Sequence, residues 1–373
     1  LWVCVTGCRR GTRTSNHVMH IIVVGLNHRT APIELRERLA FRAEQLPAAY
    51  AALRHEVGLP ESLILSTCNR VEIYAGASQL DGTRERLSAF LNVHGRFANG
   101  ELRERLYAYA DPRSIEHLFA VAGGLDSMVL GETEILHQVK HAYEQAQRYG
   151  TAGKALNVLF QKALNAGKTV QTRTGIGRGC VSVGSVAIEF AQKIFGDLRP
   201  YTVLLLGAGK IGELTLKRLA ARGVSRVRIL NRSLERAQLL ASAYGGAAYG
   251  LEQLSAQLTA ADIVITSTSA PGYLITRAEV ASLMPQRRNR PLCLIDLGVP
   301  RNVEPEAGAL ENVYLFDIDD LQGLVTHHHA QRRQAVQESE AILQQKVRHF
   351  LSWWDEERAK CIEPSSSVLA AAP

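Results

Sequence analysis

A single cysteine between two apolar runs is the strongest candidate for covalent chemistry in this sequence. Thr67-Cys68-Asn69-Arg70 separates the run Ser62–Ser66 from Val71–Ala75, which predicts a tight turn between two strands. A cation near a thiol favours the thiolate, so we expect Arg70 to lower the pKa of Cys68. These residues alone leave open the alternative of a small, buried and unreactive cysteine.

A glycine-rich segment supplies the second candidate site. Its residues are Gly207-Ala208-Gly209-Lys210-Ile211-Gly212, which fit the dinucleotide-binding pattern G-x-G-x-x-G. The motif follows a predicted strand, Val203–Leu206, and opens a predicted helix, Lys210–Ala221, as a phosphate-binding turn requires. The helix N-terminus would then hold the phosphates. A purely structural turn is the alternative.

The residues after the next predicted strand indicate which dinucleotide binds. An NAD site usually has an acidic residue there for the ribose hydroxyls, but this chain has Asn231-Arg232-Ser233. Because an arginine and a hydroxyl suit a 2′-phosphate, we expect NADPH; the alternative is that Arg232 only starts a helix. Thr266–Pro271 follows another predicted strand and should line the same crevice.

A thiol nucleophile combined with NADPH indicates reduction of an acyl group. The thiolate attacks an activated acyl group and forms a thioester. Hydride transfer converts the thioester to a hemithioacetal, which releases an aldehyde.

The elements that must position these residues fall into two patterns. Before residue 165 short strands mix with helices, whereas after Tyr201 apolar strands alternate with helices, as in a parallel sheet. We therefore predict an α/β multidomain fold with an N-terminal α+β catalytic domain, a Rossmann-type NADPH-binding domain and the start of a long C-terminal helix. The predicted ranges are a disordered or non-native extension over 1–18, the catalytic domain over 19–165, a hinge over 166–180, the Rossmann domain over 181–317, and the helix with a disordered tail over 318–373.

Individual elements follow from the hydrophobic periodicity. The predicted strands are Ile21–Leu26, Ser62–Ser66, Val71–Ala75, Val203–Leu206, Arg226–Leu230, Asp262–Ser267, Leu292–Asp296 and Val313–Phe316. Predicted helices include Pro112–Ala122, Glu132–Arg148 and Lys210–Ala221. On the C-terminal helix, Leu343, Val347, Phe350 and Trp354 form a narrow apolar seam. We expect this seam to meet a partner; packing on the chain's own domains is the alternative.

Composition excludes several protein classes. Hydrophobic residues make up 46% and charged residues 21% of the 373 residues, which excludes disordered and collagen-like chains. No apolar run is long enough for a transmembrane helix, so we expect no membrane association. Six scattered cysteines indicate a reducing compartment. We expect no metal site, because the pair Cys4 and Cys8 and the run His327-His328-His329 lack convincing ligand spacing.

Several blocks of this sequence resemble the glutamyl-tRNA reductase family. Those that carry the resemblance are Val24–Pro32, Leu65–Tyr74 with its Thr-Cys-Asn-Arg, Gly124–Glu132 with its Gly-Leu-Asp-Ser, Gly184–Glu189 and Asp296–Arg301. The resemblance extends from about Met19 to about Trp354.

The resemblance implies NADPH-dependent reduction of glutamyl-tRNA(Glu) to glutamate-1-semialdehyde, the first step of 5-aminolevulinate synthesis. Cys68 matches the family's nucleophile, and His117 matches a histidine important for activity that suits proton transfer. The matching substrate-binding positions are Thr67, Asn69, Arg70, Ser127, Glu132, Thr133, Glu134 and Gln138, and Arg70 could pair with the substrate carboxylate. Residues Gly207 to Gly212 match the NADPH loop.

Some features depart from the family pattern. Thr133 and Glu134 stand where the family commonly has Pro and Gln, and His137 stands where it commonly has Gly. The resemblance also implies that family members continue the C-terminal helix into a dimerisation domain; we expect most of this domain to be missing here, which puts the family's homodimer in doubt.

Other interpretations stay open at this stage. We expect a cytoplasmic enzyme that could pass its aldehyde to an aminomutase. One alternative is a truncated, catalytically silent form that binds tRNA or NADPH. Another is a shikimate-dehydrogenase-like oxidoreductase, which leaves the Thr-Cys-Asn-Arg block unexplained.

Overall fold

The fold is taken from a computed structural model, which describes residues 20–98, 101–177, 183–288, 290–321 and 333–362. Several sequence expectations lie outside these ranges. They concern the extension 1–18 with its two cysteines, part of the predicted hinge, the histidine run and the tail after residue 362.

The N-terminal half is built on a four-stranded antiparallel sheet. Its strands are β1 (His20–Asn27), β2 (Glu61–Ser66), β3 (Arg70–Ala77) and β4 (Tyr107–Ala110), in the spatial order β2-β3-β1-β4. All eight residues of the central strand β3 are buried. Because Asn27 pairs with Arg70, the end of β1 lies directly beside the turn that joins β2 to β3.

Six helices accompany this sheet and cover its core. They are α1 (Ile33–Leu39), α2 (Leu46–His55), α3 (Thr83–His94), α4 (Pro112–Ala122), α5 (Glu134–Arg148) and α6 (Lys154–Arg173). On α5, Ile135, Val139, Ala142 and Ala146 form the buried stripe that their spacing predicts.

The C-terminal half contains a six-stranded parallel sheet. Its strands are β5 (Val203–Leu206), β6 (Val227–Leu230), β7 (Ala247–Tyr249), β8 (Ile263–Thr266), β9 (Leu292–Asp296) and β10 (Val313–Asp317). Their spatial order is β10-β9-β8-β5-β6-β7, which is the doubly wound order of a dinucleotide-binding fold with its switch point between β5 and β8. The accompanying helices are α7 (Val183–Phe195), α8 (Lys210–Ala221), α9 (Leu234–Tyr244), α10 (Leu254–Ala260) and α11 (Arg277–Leu283).

The predicted fold class is confirmed, and most predicted elements agree with the observed ones within one or two residues. Strand β5 and helices α4 and α8 have the predicted bounds. The patterns did not predict β4 and β7, which are short and only partly buried. The predicted boundary at residue 165 falls inside α6, which continues to Arg173, so the segment 166–180 begins as helix.

The last helix, α12 (Arg333–Ile362), corrects the expectation of a partner for its apolar seam. Leu343, Val347, Phe350 and Trp354 are each at most 7% exposed, and they belong to the core of the N-terminal half. The helix packs against α4 and α6, where the Phe350 ring lies 6.2 Å from that of Phe119. The seam therefore stabilises the chain's own fold. No helix in the described part of the chain has the length and apolar character needed to span a membrane.

We expect Phe350→Ala to lower the free energy of unfolding of the N-terminal half by about 3–5 kcal/mol, because a buried ring is lost and leaves a cavity. Thermal unfolding followed by circular dichroism measures this change. Val93→Ala is the control, since Val93 is 79% exposed and should have little effect. Equal melting temperatures for Phe350→Ala and the parent chain would contradict the packing described here.

Candidate active site

Cys68 lies on a turn that is fixed by hydrogen bonds from both sides. The Thr67 backbone amide donates to the Arg70 carbonyl at 2.8 Å, and the Thr67 hydroxyl accepts from the amides of Asn69 and Arg70, both at 3.2 Å. The amide of His28, just after β1, donates to the Asn69 carbonyl at 2.9 Å. The tight turn predicted at Cys68 is therefore confirmed, and Thr67 and Asn69 hold its shape.

Arg70 does not act on this thiol in the way its spacing predicts. The guanidinium is 1% exposed, and it donates to Glu72 Oε1 at 2.7 Å and to Asp126 Oδ2 at 3.0 Å. A further hydrogen bond joins it to the Asp126 carbonyl. Protein carboxylates therefore bind Arg70 in the chain without substrate, and its pairing with a substrate carboxylate stays a prediction.

The half-buried thiol of Cys68 has a raised pKa. Burial raises it to about 12, and the nearby carboxylates of Glu132 and Glu134 add to this effect, while the Arg36 guanidinium opposes it. The expected thiolate is thus wrong for the protein without substrate, and Arg36 replaces Arg70 as the cation that favours ionisation.

Beneath the turn, a buried carboxylate organises the polar part of the site. Glu72 is 0% exposed and accepts from Arg70, from Tyr74 at 2.6 Å, from Tyr107 at 2.5 Å, and contacts His117 Nε2 at 2.9 Å. Burial raises the pKa of Glu72, but the charges of His117 and Arg70 outweigh burial and hold it well below its ordinary value. Glu72 therefore stays ionised and orients the imidazole of His117.

The loop before α5 brings further predicted residues to the turn. Gly131 donates its amide to the Gly124 carbonyl at 2.9 Å, and both glycines have φ of +75°. A Cβ at Gly131 would lie 2.5 Å from the Ile176 carbonyl oxygen, so this loop needs glycine to pack closely. Val129 of this loop belongs to the buried cluster on which Cys68 packs, so the loop lies beside the nucleophile turn.

Burial raises the pKa of Glu132 to about 7, while Arg70 and the Ser127 hydroxyl oppose this rise. Ser127 is buried, and Glu134 is partly buried at the first position of α5. Thr133 is exposed, and Gln138 lies one helical turn after Glu134. The loop thus gives the site two carboxyl groups and a hydroxyl.

The glycine-rich turn has the geometry that its motif predicts. Gly207 has φ of +112°, and a Cβ there would lie 2.8 Å from the Ser267 carbonyl oxygen. Gly209 precedes α8, and a Cβ there would meet no atom within 4 Å, which leaves space for an approaching group. A Cβ at Gly212 would lie 2.6 Å from the Gly207 carbonyl oxygen, so this glycine allows close packing of the helix.

The groups around this turn fit a dinucleotide. Asn231 accepts from the Ala208 amide at 3.3 Å and so ties the glycine turn to the end of β6. Ser233 caps the N-terminus of α9, and Arg232 beside it is exposed, which gives a cation next to a helix N-terminus. The Ser267 hydroxyl at the switch point is buried and has no hydrogen-bond partner among the described residues, as expected for a group that a ligand completes.

The nucleophile turn lies against the edge of the parallel sheet at which its strands end. Ile33 and Val129 from the N-terminal half share a buried cluster with Leu297, after β9, and Ile318, after β10, and Cys68 packs on this cluster. In doubly wound folds this edge binds the cofactor. The structure thus brings the predicted nucleophile and the predicted cofactor crevice to one interface.

Sequence reasoning missed four residues of the site, namely Arg36, Glu72, Tyr107 and Asp126. Glu72 interrupts an apolar run, Val71–Ala75, and a single acidic residue in a buried strand is a usable signal. Arg36 lies in a charged helical stretch, Glu34–Arg38, where nothing separates a buried arginine from an exposed one.

Comparisons with known proteins agree with this arrangement. Residues 24–174 match the family model for the N-terminal domain of glutamyl-tRNA(Glu) reductase, and residues 189–324 match the model for shikimate / quinate 5-dehydrogenase. The chain is 44% identical to a glutamyl-tRNA reductase from Syntrophotalea carbinolica over 90% of this chain and 76% of that protein. It belongs to the glutamyl-tRNA reductase family.

Two further members of the glutamyl-tRNA reductase family are similar to this chain over most of its length. The Bacillus subtilis enzyme is 40% identical over 90% of this chain and 74% of its own length. The solved structure of the enzyme from Methanopyrus kandleri is 34% identical, with a TM-score of 0.50 over 91% of this chain and 81% of that one. The chain is therefore an oxidoreductase of tetrapyrrole synthesis with a nucleotide-binding domain of the dehydrogenase type.

The raised pKa of Glu132 predicts a pH-dependent change in stability. Its pKa is about 4.5 in the unfolded chain and about 7 in the folded protein, so folding favours the protonated form. This contribution is fully present below pH 4.5 and is lost as the pH rises through 7, which costs up to about 3 kcal/mol. Glu132→Gln should therefore raise the melting temperature relative to the parent chain at pH 8 more than at pH 5.

Thermal unfolding at both pH values measures this effect, and Glu134→Gln on the same segment is the control, expected to show a smaller pH-dependent difference. An equal difference between Glu132→Gln and the parent at pH 5 and pH 8 would contradict a buried, protonated Glu132.

Proposed function

We propose that this enzyme reduces the glutamyl ester of tRNA(Glu) to glutamate-1-semialdehyde, with Cys68 as the nucleophile and NADPH as the reductant. The observation that carries the proposal is the position of Cys68 on a fixed turn that faces the cofactor edge of the parallel sheet. Membership of the glutamyl-tRNA reductase family supports the choice of substrate.

In the first step the Cys68 sulfur attacks the ester carbonyl carbon. A carbon–sulfur bond forms, the bond to the ribose oxygen of the tRNA breaks, and the thiol proton ends on that oxygen. His117 is the group proposed to carry this proton. Its Nε2 is bound to Glu72, while its Nδ1 lies 4.0 Å from Asp126 Oδ2, beyond hydrogen-bond distance.

Substrate binding would activate the thiol. The carboxyl groups of Glu132 and Glu134 raise the pKa of Cys68, and in this proposal they bind the α-ammonium group of the glutamyl substrate. Neutralising these acids removes part of the charge that opposes a thiolate. In this proposal Thr67, Asn69 and Ser127 shape the pocket, and Thr133 and Gln138 line its outer side.

NADPH, when bound, supplies the hydride that takes the thioester to the level of the aldehyde. Residues Gly207 to Gly212 would hold its phosphates, and Asn231, Arg232 and Ser233 would bind its ribose 2′-phosphate. The carbon–sulfur bond then breaks, the aldehyde leaves, and Cys68 regains a proton.

The remaining expectations are part of this proposal. A free thiol and an aminoacylated tRNA both suit the cytoplasm. An aminomutase that accepts the reactive aldehyde and a second copy of the chain are proposed partners. A silent tRNA-binding form is not favoured, because the Glu72 network holds His117 in place and the Cys68 turn is intact.

We expect the parent chain, mixed with tRNA(Glu) carrying labelled glutamate and no NADPH, to acquire label through a thioester. Cys68→Ser should lose this hydroxylamine-sensitive label, and Cys293→Ser should keep it, because Cys293 is buried within β9. Mass spectrometry of the labelled peptide measures both. Equal labelling of Cys68→Ser and the parent would contradict the assigned nucleophile.

We expect Arg232→Gln to raise the KM for NADPH at least tenfold and to leave that for NADH nearly unchanged, because only NADPH carries the 2′-phosphate. Arg236→Gln is the control, since Arg236 is also exposed and lies one turn further along α9. Steady-state kinetics with both cofactors decide the matter. The assignment fails when Arg232→Gln weakens both cofactors to the same extent.

A further inference from the structure

Arg36 on α1 is the most deeply buried cation beside the nucleophile turn. Its side chain is 0% exposed, and an arginine is buried only when its donors find acceptors. Nε donates to the Ala31 carbonyl at 3.3 Å, and Nη1 donates to the Cys68 carbonyl at 2.6 Å and to Asn69 Oδ1 at 3.4 Å. One guanidinium therefore holds the backbone carbonyl of Cys68 and the side-chain amide oxygen of Asn69.

The other arm of Arg36 reaches the nucleotide-binding half, where Nη2 pairs with the Asp319 carboxylate. Asp319 lies in the turn after β10, at the cofactor edge of the sheet, and its amide donates to Asp317 Oδ1 at 2.9 Å. On both sides of it, Ile318 and Leu321 are buried in the cluster on which Cys68 packs. Arg36 thus joins the nucleophile turn to a fixed loop of the cofactor-binding half.

A second contact from the same helix strengthens this junction. Arg301, in the loop after β9, donates from its amide and side chain to Glu37 at 2.9–3.3 Å, and its Nη1 lies 3.0 Å from Glu34 Oε1. Helix α1 is therefore bound to the loops after both β9 and β10. Arg36 is the residue of α1 that continues this junction to Cys68.

We propose that Arg36 is the positioning residue of this site, which fixes the Cys68 turn, supplies the positive charge that favours its thiolate, and ties the turn to the cofactor-binding half. The assignment rests on the proposed function for its role in catalysis, whereas its effect on the thiol can be measured without substrate. Lysine would keep the charge, but it cannot bind three acceptors with one planar group.

The first test is the pH dependence of Cys68 alkylation by iodoacetamide, followed by mass spectrometry of the Cys68 peptide. Arg36→Gln should lower the alkylation rate about tenfold at a fixed pH between 7 and 9, because loss of the charge lowers the thiolate fraction. Arg36→Lys should restore most of this rate. Arg38→Gln is the matched control, because Arg38 lies on the same helix and pairs with Glu101.

A purely structural role would change the alkylation rate of Arg36→Gln and Arg36→Lys alike and would not separate them by charge. An unchanged alkylation rate in Arg36→Gln between pH 7 and 9, with folding verified by circular dichroism, overturns the proposal. This result is independent of the proposed reductase activity.

The second test separates the contact between the two halves of the chain from the effect of the Arg36 charge on Cys68. It also covers the case in which Arg36→Gln does not fold. Asp319→Asn keeps Arg36 in place but weakens the tie to the cofactor-binding half. In single-turnover experiments with glutamyl-tRNA and NADPH, label should reach Cys68 at the parental rate, while aldehyde should form at least tenfold more slowly. Aldehyde formation at the parental rate in Asp319→Asn would overturn the inference that the Arg36–Asp319 pair joins the Cys68 turn to the cofactor-binding half.

The two proposals fail in different ways. A parent chain that never acquires label refutes the proposed function, and the alkylation profile still decides the role of Arg36. A parent chain that acquires label and forms aldehyde, with Arg36→Gln alkylated and Asp319→Asn forming aldehyde at the parental rates, refutes only the role of Arg36.

Discussion

The ionised carboxylate of Glu72, buried beneath the Cys68 turn, is the interaction on which the rest of the site depends. An isolated charge at this depth would be very unfavourable, and four partners compensate it. Arg70 supplies the compensating charge, and Tyr74 and Tyr107 donate hydroxyl hydrogen bonds. The fourth partner of Glu72 is His117 on α4. The contact between Glu72 and His117 Nε2 fixes the direction in which the second ring nitrogen, Nδ1, points.

The hydrogen bonds of Glu72 also explain why Arg36 and Arg70 differ in their effect on the thiol of Cys68. Arg70 is neutralised by Glu72 and Asp126, so little of its charge acts on Cys68. Arg36 binds only one carboxylate in the described structure and directs its remaining donors to neutral oxygen atoms, two on the Cys68 turn and one on Ala31. Its field on the thiol is therefore less compensated, which agrees with its effect on the pKa of Cys68.

Local patterns predicted the elements of this fold well, but the contacts between them much less well. The strand β5, the glycine turn and α8 follow from a short continuous motif, so their bounds were correct. The seam on α12 was assigned to a partner, because a heptad-like stripe has the same pattern whichever surface covers it. Arg70 was assigned to Cys68 because sequence spacing does not show that Glu72 and Asp126 bind the Arg70 guanidinium in the folded chain.

The charges around Cys68 show how a deeply placed thiol can be both protected and usable. Burial and the acids Glu132 and Glu134 keep it protonated, and a thiol reacts slowly with oxidants and electrophiles. A substrate that carries a cationic amine would reverse the sign of the field from those acids, whereas Arg36 acts at all times. In the proposed mechanism Arg36, the permanent cation, fixes the position of the Cys68 turn. The substrate amine is present only when substrate is bound, so it makes the reactivity of Cys68 depend on the correct substrate. Because Arg36 also pairs with Asp319, the same residue that hydrogen-bonds the nucleophile turn is joined to the cofactor-binding half.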